Sequence, residues 1–309
     1  MIHAFALEPR LVATWGRREA FRYFRDRFGL GTTRVLLELP AFKTWKRAVY
    51  DAANQLALTE QDMLRIAELF QFFAEHKCRR EDSVYDGVLS WLQYAEREYD
   101  RRPFAAILAT ENPRGHGAVL LDGQLETDPR WNCPHGASPP RTPAGLVTAL
   151  SALILNCRTL HLVDPHFGPE NVRHRKVLEA LLDRLGAHGV TPQLVRVHCL
   201  AKGPLAFFEQ SARRMAQNLP RRISVEFVRL AQRPGGEKIH NRYVLTDLGG
   251  VSLGVGLEVG NVGETDDLSL LTREQYQLRW QQYVNQTAFD LVDMPTTIHG
   301  TRIRPPSGR

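Results

Sequence analysis

The second half of the sequence alternates between helical and strand-like segments, and this alternation restricts the fold more than any other feature. Apolar runs of strand length and helical patterns follow one another from Ala144 to Val292. This order predicts a layered α/β sheet flanked by helices. The predicted strands are Thr159–Val163, Gln193–Cys199, Ser224–Arg229, Arg242–Thr246 and Gly250–Leu257, and the predicted helices are Ala144–Asn156, Val172–Gly186, Leu205–Asn218 and Glu274–Val292.

The first part of the chain has a mainly helical pattern. Ala41–Gln55 and Thr59–His76 carry apolar residues at helical spacing, whereas Arg34–Leu39 and Phe104–Thr110 indicate short strands. A stretch rich in Pro and Gly, from Asn132 to Pro143, marks a boundary near residue 138. We therefore predict a mainly helical accessory domain over 1–138, an α/β domain over 139–295 and a flexible basic tail over 296–309.

Composition narrows the class of partner. The chain has 309 residues, a length that suits two domains, and its formal net charge of +6 favours polyanions such as nucleic acid or anionic headgroups. Four scattered cysteines are typical of reduced thiols. The sequence has no apolar run long enough to span a bilayer, and its first ten residues do not resemble a secretory signal, so a cytoplasmic location is expected.

The segment from Lys238 to Asp247 carries the residues most suited to chemistry. His240 and Arg242 are two positions apart in a predicted strand, so both side chains are expected on one face. Asp247 stands where that strand ends. The following strand is rich in glycine, and Gly254 within it would let a ligand approach the backbone.

This segment resembles the signature of the phospholipase D superfamily, in which His-x-Lys is followed after four residues by Asp. His240 and Asp247 match that pattern, and Arg242 stands at the lysine position. Arginine holds phosphate oxygens through a planar fork, so it is not equivalent to lysine.

Two further elements extend the resemblance. Family members carry Gly-Ser-x-Asn after the motif; here Gly254 matches, whereas Val255 and Leu257 replace the serine and the asparagine. The run Asp164-Pro165-His166-Phe167 resembles an Asp-Pro-Tyr-Phe element at a strand end in many relatives. The resemblance covers about residues 144–295 and implies a phospholipase D-like layered mixed sheet flanked by helices.

The family mechanism gives each residue an expected role. By resemblance, His240 is the nucleophile that forms a phosphohistidine, or the acid of a symmetric pair. Arg242 would hold phosphate oxygens and Asp247 would orient a histidine. The mechanism requires no metal and no cofactor. The expected substrate-binding residues are Lys238, Asn241, Gly254, Glu258, Asp164 and His166.

One motif supplies one histidine, so the resemblance implies a homodimer whose two copies converge on one phosphate. The run Arg173-His174-Arg175-Lys176 also contains His-x-Lys, but it lies in a predicted helix and its next aspartate is too distant. We therefore do not expect it to be a second motif.

The favoured function is a metal-independent phosphodiesterase that acts on nucleic acid, and the resemblance makes defence against foreign DNA an expectation. The first domain would hold substrate or a protein partner. Two alternatives stay open because residues 242, 255 and 257 depart from the family pattern. One is a degenerate module that binds phosphate groups of nucleic acid or lipid without cleavage. The other is a structural subunit of a larger complex.

Overall fold

The computed structural model describes residues 1–80, 85 and 87–303. The chain divides into two compact units, Ile2–His135 and Gly136–Arg309, which we call the first and second units. The division falls three residues before the boundary that the Pro- and Gly-rich stretch predicts. No helix in the described ranges is both long enough and apolar enough to cross a membrane.

The first unit is built on a sheet that the sequence pattern predicted only in part. In its described residues, five parallel strands lie in the order β3-β2-β1-β4-β5. The strands are β1 His3–Leu7, β2 Arg34–Glu38, β3 Lys77–Arg79, β4 Ala106–Ala109 and β5 Val119–Leu121, and the helices are α1 Pro9–Thr14, α2 Arg18–Phe24, α3 Phe42–Gln55, α4 Glu60–Glu75 and α5 Trp91–Arg101.

A mainly helical accessory domain is therefore an incomplete description of the first unit. Helices surround a parallel sheet whose central strand, β1, is almost wholly buried. Parallel strands are covered on both faces, so they have continuous apolar runs instead of alternating ones. The His-Ala-Phe-Ala-Leu run of β1 has that character, but its length is too short for periodicity to distinguish strand from helix.

The second unit is the mixed α/β layer that the alternation predicts. Its strands lie in the order β13-β9-β8-β7-β10-β11-β12-β6, and β14 also pairs with β9. They are β6 Gly136–Ala137, β7 Thr159–Val163, β8 Leu194–Leu200, β9 Ser224–Gln232, β10 Arg242–Thr246, β11 Gly249–Leu253, β12 Leu268–Leu270, β13 Phe289–Leu291 and β14 Thr296–His299. The helices are α6 Pro143–Ile154, α7 Val172–Ala187, α8 Leu205–Met215 and α9 Arg273–Arg279, with a π-helical turn at Trp280–Val284.

Three predictions at the end of the chain need correction. The strand predicted to reach Leu257 stops at Leu253, and the helix predicted to reach Val292 gives way to β13. The predicted flexible tail begins instead with β14, whose Thr296 and Ile298 are buried against β9. Gly300 and Arg302 continue the backbone contacts through hydrogen bonds to the carbonyls of Ile223 and Leu219, both at 2.9 Å, and residues 304–309 lie outside the described residues.

The order and direction of the strands bring the ends of several strands to one edge of the second sheet. β7, β8 and β9 are parallel, so their last residues share an edge. β10 runs antiparallel to β7 with Tyr243 opposite Val163, which places the start of β10 beside the end of β7. We call this side, formed by the ends of β7, β8 and β9 and the start of β10, the carboxyl edge. Such edges are where open α/β sheets usually bind ligands.

Candidate functional site

His240 lies at the carboxyl edge, but in a turn instead of a strand. The described β10 begins at Arg242, so the predicted common face of His240 and Arg242 is wrong. Ile239 is buried and anchors the turn, whereas Lys238 and His240 are exposed. Within the described structure neither of these two side chains has a hydrogen-bond or ion-pair partner. Both are therefore open to a ligand from solvent.

Arg242 is the first residue of β10 and is half-buried. Its Nε is buried without a hydrogen-bond partner, and its guanidinium forms no ion pair with any described residue. A buried donor left unsatisfied costs about 1–3 kcal/mol. An anion that accepted its hydrogen bonds would remove that cost, so Arg242 is the clearest candidate for holding a negatively charged group.

Asp164 directly follows β7, lies beside Arg242 and is only 2% exposed. Its Oδ1 accepts a hydrogen bond from the His166 backbone N–H at 2.9 Å, and its Oδ2 accepts one from the Leu257 N–H at 2.9 Å. The carboxylate therefore ties the turn after β7 to the loop after β11. It organises the backbone of both, a different role from the direct contact with substrate that the sequence suggested.

Gly256 lies between Asp164 and Arg242 and has a φ of 138°, a backbone conformation that favours glycine. A Cβ at this position would lie 2.8 Å from Asp164 Oδ2 and 3.4 Å from Arg242 Nε. The close approach that the sequence assigned to Gly254 therefore belongs to Gly256. At Gly254 a Cβ would meet Asp266 Oδ1 at 2.9 Å, away from Arg242.

Asp266 holds the same loop from its other side. It is 2% exposed, and its carboxylate accepts hydrogen bonds from the N–H groups of Val255 at 2.9 Å and Gly256 at 3.3 Å. Together Asp164 and Asp266 satisfy three consecutive backbone donors. The loop is thus fixed by buried carboxylates, and its N–H groups are not free for a ligand.

Glu258 belongs to an ionic cluster behind this loop. Its Oε1 accepts from Arg141 Nη2 at 3.0 Å, and its Oε2 lies 3.7 Å from His174 Nε2 and 3.9 Å from Arg173 Nε. Arg141 also pairs with Glu264 at 2.6 Å. The predicted substrate contact of Glu258 is therefore occupied by cations of the chain itself.

His174 shows why a motif match on a helix misleads. The run Arg173–Lys176 is helical, as its pattern predicts, yet His174 is 3% exposed and faces the site. Its Nδ1 accepts a hydrogen bond from the Gly168 N–H at 3.2 Å, so a neutral ring carries its proton on Nε2, toward Glu258. Burial lowers its pKa, while the charges of Asp164 and Glu258 oppose that shift. His174 therefore stabilises the turn after β7 through its hydrogen bond to Gly168.

Asp247 lies at the opposite edge of the sheet. Its Oδ1 accepts from the backbone N–H groups of Arg158 at 2.7 Å and Thr159 at 3.1 Å, and its Oδ2 pairs with Arg158 Nε at 3.0 Å. The five residues of β10 separate it from the turn that holds His240, roughly 16 Å at about 3.3 Å per residue. Asp247 fixes the start of β7 and does not orient His240 within the chain.

Asn241 and Tyr243 complete the approach to β10. Asn241 is half-buried near the Tyr243 hydroxyl; burial raises the pKa of that hydroxyl, and Asn241 opposes the shift. The Arg279 guanidinium lies 5.4 Å from the Tyr243 ring centroid and pairs with Glu237 at 3.3 Å. These contacts hold the segment before β10 in place and leave Asn241 in a supporting position.

His166 and Lys202 extend the site along the carboxyl edge. Both are exposed, and Lys202 Nζ lies 3.0 Å from His166 Nδ1. The sequence indicated His166 through the Asp-Pro-His-Phe run but gave no signal for Lys202, because only the parallel pairing of β7 with β8 brings the two turns together. In the described ranges no cluster of three or more His, Cys, Asp or Glu residues could hold a metal ion.

Comparison with known proteins adds little. The chain matches no protein-family model, and no curated protein matches it significantly. Among solved structures, one match is the archaeal chromatin protein TrmBL2, in a structure described as showing a novel mode of DNA binding. The two chains share 12% identity over 81% of each, with a TM-score of 0.28. A TM-score this low supports no conclusion about fold or function.

Proposed function

We propose that the second unit binds the phosphodiester groups of a nucleic acid at its carboxyl edge and hydrolyses them as a phospholipase D-like phosphodiesterase. Arg242 carries this proposal. It presents a half-buried guanidinium whose buried Nε has no hydrogen-bond partner among the described residues, beside the closely packed Gly256. A phosphate group suits that fork because it accepts two parallel N–H bonds.

The reaction follows from His240 and a second histidine. A neutral ring nitrogen of His240 attacks phosphorus, a P–N bond forms, and the P–O bond to the leaving group breaks. The leaving oxygen takes a proton from the second histidine, and water then breaks the P–N bond and returns a proton to that histidine. Arg242 neutralises charge on the non-bridging oxygens. In this proposal the second histidine is His240 of a second copy in a homodimer.

Nucleic acid is the preferred substrate because of charge. The chain carries a net charge of +6, and the exposed cations Lys238 and Lys202 both lie at the carboxyl edge. A polyanionic strand that neutralises several such groups gains from the release of its counterions. The binding should therefore weaken as the salt concentration rises.

A cleavage assay in EDTA tests the enzymatic part. We expect wild type to cut labelled DNA or RNA oligonucleotides, and His240→Ala and Arg242→Gln to lose at least about 100-fold in rate. Arg222→Gln, which removes an exposed arginine just before β9 at the opposite edge, is the matched control. Equal rates for wild type and His240→Ala would sink the proposal.

A module that binds phosphodiesters without cleaving them is the second candidate. The observation in its favour is that His240 has no partner among the described residues to orient its ring. This candidate predicts that wild type and His240→Ala bind an oligonucleotide with similar affinity, that neither cuts it, and that Arg242→Gln binds weakly. Sedimentation of wild type with and without oligonucleotide then shows whether a dimer forms.

A further inference from the structure

A second cationic point lies on the carboxyl edge. His166 follows the end of β7, and Lys202 follows the end of β8. Because these strands are parallel neighbours, their following turns meet, and Lys202 Nζ comes within 3.0 Å of His166 Nδ1. Neither residue has a role in the hydrolysis described above.

The short contact fixes the chemistry of both groups. An ammonium group can only donate, so His166 Nδ1 must accept and must be unprotonated. The proton of the neutral ring is then on Nε2. That nitrogen has no hydrogen-bond partner among the described residues, and the side chain is exposed. The pair therefore presents a charged ammonium and an imidazole N–H side by side, an arrangement suited to an anion.

The turn that contains Lys202 is held by a buried arginine of the neighbouring strand. Arg229 on β9 is 5% exposed, and its Nη2 donates to the carbonyls of Lys202 at 3.3 Å and Gly203 at 2.8 Å. Its Nη1 pairs with Asp293 at 2.9 Å. A buried arginine that donates to two carbonyls keeps the backbone of Lys202 in place before any ligand arrives, which reduces the part of the entropy cost of binding that comes from ordering the turn.

The His166 turn is held to the Arg242 site by a buried carboxylate. Asp164 Oδ1 accepts from the His166 N–H, while its Oδ2 lies on the side of Gly256 and Arg242. The Asp164 carboxylate therefore lies between the backbone of the His166 turn and Arg242. A phosphate bound between the two points would meet that negative charge, so each point suits a phosphate of its own, held on the side away from Asp164.

We propose that His166 and Lys202 form a second phosphate-binding point, which holds a phosphate of the same nucleic-acid strand whose neighbouring phosphodiester lies at Arg242. This inference rests on the part of the proposed function that places a nucleic-acid strand at Arg242, but it does not require that the strand is cleaved. It makes the substrate a polymer of phosphodiesters, since a ligand with a single phosphate group can engage only one point at a time.

Binding of a fluorescent single-stranded DNA oligonucleotide, measured by anisotropy in EDTA, tests the proposal. The variants are His166→Ala, Lys202→Gln and Arg242→Gln, with Arg222→Gln as the matched loss of charge at the opposite edge. We expect His166→Ala and Lys202→Gln each to weaken binding about tenfold, as for a lost hydrogen bond to a charged group. Lys202→Gln should also lower the slope of log affinity against log salt by about one.

The outcomes separate this inference from the proposed function. If wild type cuts DNA and both variants bind and cut it as wild type does, the second point is refuted and the phosphodiesterase stands. If wild type binds without cutting and both variants bind weakly, the phosphodiesterase fails and the second point stands.

Two further probes define the ligand. Inorganic phosphate should compete only weakly, and vesicles containing phosphatidic acid should bind wild type and Lys202→Gln alike. Lys202-dependent binding to those vesicles but not to DNA would overturn the choice of a nucleic-acid strand. Absence of any oligonucleotide binding by wild type would overturn the proposal altogether.

Discussion

At the scale of single residues, Gly256 is the position of the site where a side chain would be tolerated least. Its φ of 138° disfavours any side chain, and a Cβ would lie 2.8 Å from a carboxylate that is itself buried. Asp164 cannot move aside without losing its hydrogen bonds to the N–H groups of His166 and Leu257. The conformational cost and the steric cost therefore add.

Gly256→Ala should lower the free energy of unfolding of the second unit by about 2–4 kcal/mol, from roughly 1–3 kcal/mol of backbone strain plus the clash. It should also weaken oligonucleotide binding, because the methyl group forces a shift of the Asp164 carboxylate beside Arg242. Urea denaturation and anisotropy measure the two effects. Gly263→Ala, which has a φ of 88° but an open Cβ position, isolates the backbone part. Equal losses for the two variants would contradict the steric argument.

Asp247 provides a test in which stability should change and oligonucleotide binding should not. Its carboxylate accepts from two backbone N–H groups and one guanidinium at the start of β7, far from His240. Asp247→Ala should therefore cost about 1–3 kcal/mol of stability through unsatisfied donors, and leave oligonucleotide affinity unchanged. Chemical denaturation and anisotropy at low temperature separate the two. A fully stable Asp247→Ala protein that no longer binds or cuts would restore the family-based role.

The motif indicated residues that share one edge of the sheet, but several of the roles it assigned to them do not fit their contacts. His240, Arg242 and Asp164 share an edge because a strand-start motif and a strand-end motif belong to antiparallel neighbours. Spacing along the sequence could not separate Gly254 from Gly256, since the difference lies in a backbone angle. Lys202 was missed because its partner is 36 residues away and depends on strand order.

At the scale of elements, a pair of buried histidines joins two strands of the second unit. His161 on β7 and His198 on β8 are each 1% exposed, with His161 Nδ1 3.1 Å from His198 Nε2. Trp280 and Tyr283 of the π-helical turn pack against them. Burial lowers the pKa of His161 to about 4, and burial together with His161 lowers that of His198.

The stability of the second unit should therefore fall with acid. Between pH 6.5 and about 4 the unfolded chain binds protons that the folded pair does not, so the free energy of unfolding decreases as pH falls through that window and is unaffected above it. The expected loss from His161 is on the order of 3 kcal/mol at pH 4.

The measurement is urea denaturation as a function of pH. Replacing both residues, His161→Leu with His198→Leu, should flatten the profile between pH 6.5 and 4, whereas His188→Gln, at an exposed histidine on the same unit, should not. An unchanged profile in the double variant would show that the pair does not dominate acid sensitivity.

Long elements were predicted more accurately than short ones. The patterns of α6, α7 and α8 and of the parallel strands are long enough to show a period. β12 and β13 have three residues each, too few for a period, and the helix predicted to run to Val292 ends where the π-helical turn interrupts it. In β14 the alternating burial of Thr296 and Ile298 is present, but Pro295 and the chain end pointed to a tail.

At the scale of the whole molecule, each unit has its own sheet and core. In the first unit Trp131 is 1% exposed; its ring lies 4.1 Å from the Arg34 guanidinium, and its Nε1 donates to the Tyr23 hydroxyl at 3.1 Å. None of these contacts involves the second unit. A substitution in this core should therefore lower the stability of the first unit and leave that of the second unit unchanged.

Trp131→Ala should destabilise the first unit by about 3–5 kcal/mol, as for large cavities in other cores. Oligonucleotide binding at the carboxyl edge of the second unit should persist at temperatures where the first unit of the variant has unfolded and the second unit is still folded. Calorimetry together with anisotropy checks both, and Trp91→Ala, which removes a partly exposed indole of the same unit, is the milder control. Loss of binding in parallel with the first transition would show that the units unfold together.

The central position of β1 also governs how the first unit forms during synthesis. Its two neighbours are β2, which follows within about thirty residues, and β4, which lies about a hundred residues further along the chain. Until β4 has left the ribosome, an apolar strand has one edge without a partner, and such edges attract other chains. Chaperones that cover extended apolar segments should therefore matter most during the interval between the synthesis of β2 and of β4.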